Sequence, residues 1–421
     1  MWHNISQRKG RLALEKYQDM RHLYYSKQHS QEELKNLLAS RYQGEATIRL
    51  PFQIGEYPAF VMLPAELHTL TSSIYQANAR LERLCASMPQ SAIRHFQNSM
   101  MVEEIQQSNE VENVRSTRKE IREALVEMQE GRQKKRFSDM VRKYDMLLTN
   151  KEIPLRSCSD VRNLYDEFLL DEVLREDETN APDGVFFRQG AVHVGSKTGK
   201  NLHDGLLPEK KIIETMDQAL SFLNAPDCDP LIRVAVFHYA FAYIHPFYDG
   251  NGRMTRFISC YMLSKFFDKS ACLRISYVIK EHLGSYYKIF KDANSKHSMG
   301  ELSGFVWQFL QFFKEAIEYS VRSLSEKKIR YEHYDAMLQN AIKQMNLKLP
   351  EPQQHFLNVM LQAELFGVPY FTTGIMANAL KCSDQTIRSF MKKCENLVRR
   401  TNDGHAFLWR MNLEELERLS Q

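Results

Sequence analysis

His245-Pro246-Phe247-Tyr248-Asp249-Gly250-Asn251-Gly252-Arg253-Met254-Thr255-Arg256 places a base, a carboxylate, two glycines and two arginines in twelve consecutive positions. An apolar run precedes it (Leu231, Ile232, Val234 to Phe237, Tyr239 to Ile244), and Asp229-Pro230 ahead of the run is an N-cap followed by proline at the first helical position. The run therefore reads as a buried helix that ends at the motif. Phe257, Ile258, Tyr261, Met262 and Leu263 follow at three- and four-residue spacing and read as a second buried helix from near Asn251. The stretch is a helix-loop-helix.

That placement carries a chemistry. The free N–H groups and positive dipole end of the second helix point into the loop and favour an anion. Gly250 and Gly252 let the backbone come close and turn successive N–H groups inward, a phosphate nest. Arg253 and Arg256, three apart, face the same way, and two forked cations over a nest suit a polyphosphate. Asp249 is a hard oxygen ligand for a magnesium ion shared with the phosphates. His245, at the loop's entry, has a side chain able to take a proton from an attacking hydroxyl.

With these residues in place, the stretch resembles the signature of the Fic family, His-x-Phe-x-Asp/Glu-Gly-Asn-Gly-Arg-x-x-Arg, and every fixed position is matched. The resemblance implies an enzyme that moves AMP from ATP onto a Ser, Thr or Tyr hydroxyl of a target protein, with Mg2+ as cofactor. It makes His245 the base and Asp249 the magnesium ligand. Gly250, Asn251, Gly252 and Arg253 become the α/β-phosphate cradle and Arg256 the γ-phosphate contact. It also implies a mainly α fold: a Fic-type helical bundle with a small β-hairpin flap.

Upstream, Ser108 and Glu112 are four apart, so on a helix the hydroxyl and carboxylate share a face. Read alone, the stretch is a helix end followed by a cap at Ser116 or Thr117. Beside the loop motif, Ser108, Glu112 and Asn113 resemble the family's inhibitory helix, Ser/Thr-x-x-x-Glu-Gly/Asn, which implies that Glu112 pairs with Arg256 and takes the donor meant for the γ-phosphate. The same carboxylate would also suit a reverse reaction in which it orients water to remove AMP. Val185 to Val194 alternates about Gly190 like a hairpin. In Fic-like proteins a hairpin here is the flap that docks the target by strand addition, which assigns Ala191, Val192, His193 and Val194 to target docking. Tyr286 and Tyr287 resemble the pair that lines the family's adenine pocket.

At 421 residues the chain has room for two or three domains, and a net charge of +4 is too small to make the whole molecule a polyanion binder. Seven cysteines without a C-x-x-C pair favour a reducing compartment over a disulfide framework. Residues 1 to 40 lack an apolar core of a signal peptide, and no run reaches about eighteen apolar residues, so a cytoplasmic protein with no membrane partner is expected.

Elsewhere, residues 10 to 40 read as an amphipathic helix (Leu12, Leu14, Tyr17, Met20, Leu23, Tyr24), 46 to 63 as edge strands or extended loop, and 65 to 86 as helix. Residues 118 to 148 read as a basic amphipathic helix broken at Gly131. Near the C-terminus, Thr372 and Thr373 cap a short helix, a turn at Cys382 to Asp384 leads to a helix from Gln385 to Cys394, and a hairpin follows around Asp403-Gly404. This looks like a winged helix-turn-helix, a module used for DNA docking, protein docking or homodimer formation, and the sequence leaves the three open. The expected division is a mostly helical region at 1–100, the Fic core with its inhibitory helix at 101–325, a linker at 326–350, whose charged run Glu326 to His333 reads as linker or continuing helix, and the winged helix-turn-helix at 351–421. A DNA-binding regulator whose core senses nucleotide is the competing reading.

Overall fold

The computed structural model describes residues 17–129, 131, 135–195, 201–367, 371–402 and 407–419. In chain order the elements begin with α1 (Met20–Ser26), α2 (Gln31–Gln43), the hairpin β1 (Thr47–Ile54) and β2 (Tyr57–Met62), then α3 (Ala65–Ala86) and α4 (Gln90–Val111). They continue with α5 (Arg118–Gln129), α6 (Ser138–Leu148), α7 (Cys158–Tyr165) and, after a π-helical turn over Asp166–Leu170, α8 (Asp171–Glu176). A second hairpin, β3 (His193–Gly195) and β4 (Asn201–Asp204), precedes α9 (Glu209–Leu223), α10 (Pro230–Ile244) and α11 (Asn251–Leu263). Then come α12 (Lys269–Cys272), α13 (Ile275–Glu281), α14 (Leu283–Ala293) and α15 (Ser303–Gln344). The C-terminal part holds α16 (Glu351–Phe366), α17 (Thr373–Leu380), α18 (Asp384–Lys393), the hairpin β5 (Val398–Asn402) and β6 (Phe407–Met411), and α19 (Leu413–Leu419). The chain is mainly helical, and its strands form three separate two-stranded sheets among the described residues.

The centre is α10, apolar around its whole circumference and buried along nearly all its length, as a helix wrapped by others must be. Asp229 caps it through the Leu231 N–H and Pro230 sits at its first turn, as the sequence predicts. Against it lie α9, α11 and the first half of α15. On the other side of α11 runs α4, which packs its middle on α13 and its N-terminal turns on α16. Ser91 of α4 donates to the Gln362 side chain, and Gly367 after α16 lies so close to the His95 carbonyl that an added Cβ would stand 2.6 Å from it. The C-terminal part is thus seated on the same helix that carries Ser108.

Three expectations are corrected. Residues 10 to 40 are not one helix: within the described part Lys27 adopts a left-handed φ of 56° and ends α1, and a Ser30–Glu33 capping box starts α2; Leu12 and Leu14 lie outside the described residues. Val185 to Val194 does not form a hairpin about Gly190. Val185, Phe186 and Phe187 instead donate their N–H groups to the Glu209 carboxylate, which takes the backbone away from a ladder, and the paired strands begin later, at His193. Most of the stretch 326–350 is helix, because α15 runs unbroken to Gln344. No helix among the described residues is long and apolar enough to cross a membrane.

Candidate active site

Residues 245–250 form the turn between α10 and α11, residues 251–256 open α11, and each end of the turn is fixed by a specific contact. His245 is the left-handed C-cap of α10, at φ 52° and ψ 63°, and its N–H bonds the Phe241 carbonyl at 2.9 Å. Phe247 plugs the loop into the core, stacked on Tyr165 at 3.7 Å between ring centres. The buried Asn251 amide spans the loop: its Oδ1 accepts from the Phe247 N–H at 3.0 Å and its Nδ2 donates to the Phe247 carbonyl at 2.7 Å. Asn251 therefore shapes the loop from beneath, and its side chain is spent on backbone. Gly250, the N-cap of α11, needs its φ of 81°, and a Cβ there would press on Leu169 and Tyr165.

Above this floor the charged groups gather. Asp249 accepts from the Gly250 N–H at 2.5 Å and from Arg253 Nη2 at 3.2 Å, with 37% of its side chain exposed. Arg253 has no exposed surface, yet its Nε and Nη1 have no hydrogen-bond partner among the described residues. A buried guanidinium with two idle N–H groups is costly unless an anion arrives to take them. Asp249 also fits a cation arriving with that anion. No group of three or more His, Cys, Asp and Glu able to hold a metal occurs among the described residues, so phosphate and water would complete the shell, the usual manner of magnesium.

Arg256 is in the opposite state, fully occupied. Its Nε donates to Ser108 Oγ at 3.0 Å, its Nη2 to the Ser108 carbonyl at 2.8 Å and its Nη1 to Glu112 Oε1 at 2.7 Å. Burial works against its charge, but the Glu112 carboxylate together with the Tyr286 and Tyr287 hydroxyls outweighs that and holds its pKa above the usual arginine value. Glu112 reaches over the first turn of α11, where an added Cβ on Gly252 would lie 1.8 Å from its Oε1. An acidic oxygen thus stands over the helix N-terminus, the position that attracts an anion. Glu112 can do so because α4 ends there in a Schellman turn: Val114 N–H bonds the Asn109 carbonyl, Asn113 N–H bonds the Glu110 carbonyl, and Asn113 takes a left-handed φ of 62°.

Tyr286 and Tyr287 border the same space from α14. The Tyr286 hydroxyl meets His238 Nε2 at 2.8 Å, whose Nδ1 meets Ser259 Oγ at 2.8 Å. Burial, with Arg256 nearby, pushes His238 down to about 3, so the ring is neutral. Tyr287 donates to the carbonyl of Val111 at 3.2 Å and braces the end of α4. Of the flap residues, Ala191 and Val192 precede the strand, while His193 and Val194 lie in β3, opposite Asp204 and His203.

The contact that sequence reasoning missed is Arg188, buried and in no ion pair among the described residues. Its guanidinium donates to the carbonyls of His245 at 2.8 Å, Gly190 at 2.5 Å and Leu206 at 3.0 Å, and its own N–H bonds the Pro246 carbonyl at 3.1 Å. One side chain ties the backbone of His245 to both segments that flank the β3–β4 hairpin. The available signal was a lone cation in an apolar run, Val185-Phe186-Phe187-Arg188. His238, a lone imidazole in the apolar α10, gave the same faint signal. Buried Glu104, one turn before Ser108, accepts from the Ser276 N–H and hydroxyl and anchors α4 to α13.

Residues 157–263, which contain the whole loop, match the model of the Fic/DOC family. This stretch is similar to the Fic/DOC family. Among solved structures, a Fic family protein from Desulfovibrio desulfuricans G20 is similar over 87% of this chain and 98% of that one, at 17% identity and a TM-score of 0.52. That is a likeness of fold. A Fic domain containing signaling protein from Bacteroides thetaiotaomicron VPI-5482 matches over 60% of this chain and 97% of its own, at 17% identity and a TM-score of 0.40. Fic-1 from C. elegans matches over 62% and 74%, at 16% identity and a TM-score of 0.41. The Fic domain match begins after Ser108 and Glu112, so the α4 contact with Arg256 is added to the domain from outside the matched segment.

Proposed function

We propose that the protein transfers AMP from ATP to a hydroxyl side chain of another protein, and that Glu112 keeps this activity low. The observation that carries the reading is the contrast between the two arginines. Arg253 is buried with its Nε and Nη1 unpartnered among the described residues, while Arg256 is filled by a carboxylate seated over the N-terminus of α11. Membership of the matched segment in a family that generally moves nucleotides onto proteins supports the same chemistry.

In this reading the target hydroxyl loses its proton to His245 as its oxygen attacks the α-phosphorus. The bond from that phosphorus to the bridging oxygen breaks, and pyrophosphate leaves with the electron pair. Arg253 and the first turn of α11 hold the α- and β-phosphates, Arg256 holds the γ-phosphate once Glu112 has withdrawn, and Arg188 keeps the His245 backbone in place. A magnesium ion bound by Asp249 and the phosphates would neutralise charge on the leaving group. Paired strands such as β3 and β4 present an edge along which an extended target segment can align.

The test is incubation of the full chain with α-labelled ATP and a cell lysate, comparing wild type, Glu112→Gly and His245→Ala. Label should enter protein strongly with Glu112→Gly and not with His245→Ala. Equal labelling by all three would remove both residues from their roles.

A further inference from the structure

We infer that the exposed face of α18, together with the exposed arginines of β5, is a docking surface for duplex DNA. Between Lys381 and Arg400 stand Lys381, Arg388, Lys392, Lys393, Arg399 and Arg400 against Asp384 and Glu395, and all eight are exposed. The excess of four positive charges equals the net charge of the whole chain, here concentrated in twenty residues. Lys381, Arg388, Lys392 and Lys393 make no ion pair among the described residues, and Arg399 meets only the exposed Glu414, at 3.7 Å. Lys381, Arg388, Lys392 and Lys393 are thus not tied to a carboxylate among the described residues, whereas Arg400 lies over the Trp409 ring at 5.9 Å.

The geometry suits a groove. Thr372 caps α17, Lys381 turns the chain at a left-handed φ of 49°, and Ser383 caps α18. Ile387, Phe390 and Met391 anchor α18 to the interior. That leaves Gln385, Arg388, Ser389 and Lys392 in one outward stripe at three- and four-residue spacing. These are side chains that pair with base edges and phosphates. A helix about 10–12 Å in diameter fits a B-form major groove of about 12 Å width, whereas the deep, narrow major groove of duplex RNA excludes it. The surface does not suit a protein partner equally: the large exposed hydrophobic residues of the described chain (Tyr25, Tyr75, Val185, Leu207, Phe266, Ile329) all lie elsewhere, so α18 lacks the apolar anchor on which protein interfaces depend.

The inference stands independently of the transferase reading. The experiment is fluorescence anisotropy of the full-length protein with a labelled DNA duplex of about two helical turns, titrated at several salt concentrations. The same titration is run with the single strand and with an RNA duplex of the same length. The duplex should bind in the micromolar range or tighter at low salt, weaken steeply as salt rises and outcompete both other nucleic acids. Arg388→Glu with Lys392→Glu should weaken binding at least tenfold and flatten the salt slope by about two. A charge reversal on a distant helix, Lys35→Glu, should change nothing, and unchanged unfolding midpoints would show all variants folded. Absence of duplex binding at low salt, equal affinity for the RNA duplex, or wild-type binding by the double variant would each overturn the inference.

Discussion

At the scale of single residues, the site separates groups that react from groups that hold. In the proposed transfer His245 is the base: a general base contributes about two to four orders of magnitude, so His245→Ala should lose that much label transfer with its unfolding midpoint unmoved. Glu112 holds. Its bond to the buried Arg256 is a charge-assisted contact, and a bias of about 1.5 to 3 kcal/mol between the closed and open arrangements corresponds to roughly ten- to hundredfold. Glu112→Gly should accelerate single-turnover transfer by that factor. Arg256→Ala should not, because it removes lock and phosphate contact together, and the double variant should stay as slow as Arg256→Ala alone. A double variant as fast as Glu112→Gly would show that Arg256 does not touch the γ-phosphate. This layer was legible where chemistry clusters in sequence: twelve adjacent residues spelled out the loop. Arg188, His238 and Glu104 were not legible, because each acts singly, from inside a run whose neighbours are apolar or ordinary, on a partner more than twenty residues away.

At the scale of elements, the helix that carries Glu112 is defined by how it stops. Asn113 supplies the left-handed residue of the Schellman turn, a conformation that costs most residues about 1–2 kcal/mol. Asn113→Gly should therefore keep or raise the unfolding midpoint and keep the low basal activity. Asn113→Val, which cannot take that φ cheaply, should fray the last turn of α4 and release Glu112, raising transfer while lowering the midpoint. Unchanged activity in Asn113→Val would show that Glu112 finds Arg256 without an ordered helix end. Helix periods were readable for α3, α10 and α11, and the N-cap for α10. The flap was misplaced because alternation in Val185 to Val194 signals a strand only if the backbone N–H groups are left for a partner strand. Glu209, about twenty residues away in sequence, takes three of them.

At the scale of the whole molecule, the expected linker proved to be the second half of a 42-residue helix, about 63 Å long at 1.5 Å per residue. Composition alone could not tell a charged linker from a charged helix, since both are polar, and only packing against α16 and α19 decides it. The core and the C-terminal part should accordingly unfold in one transition, and a protease should not cut within residues 326–344 of the native protein. Two separated transitions would contradict this. Their seam has its own pH dependence. Burial against the C-terminal part pushes His95 down from 6.5 to about 4. The unfolded chain therefore binds the proton more readily, and the contribution of this site is complete above about 6.5 and is lost as pH falls through about 4. The wild-type midpoint should drop more steeply over that window than that of His95→Gln. His95 and Glu112 sit on one rigid rod, gripped at one end by the C-terminal part and at the other by the nucleotide loop. Free-energy coupling between two sites is mutual, so if withdrawing Glu112 shifts α4 as a body, the two ends become two readings of one equilibrium. A ligand on the C-terminal part that tightens or loosens the grip on α4 would change the occupancy of Arg256, and nucleotide binding would change the affinity for that ligand by the same factor.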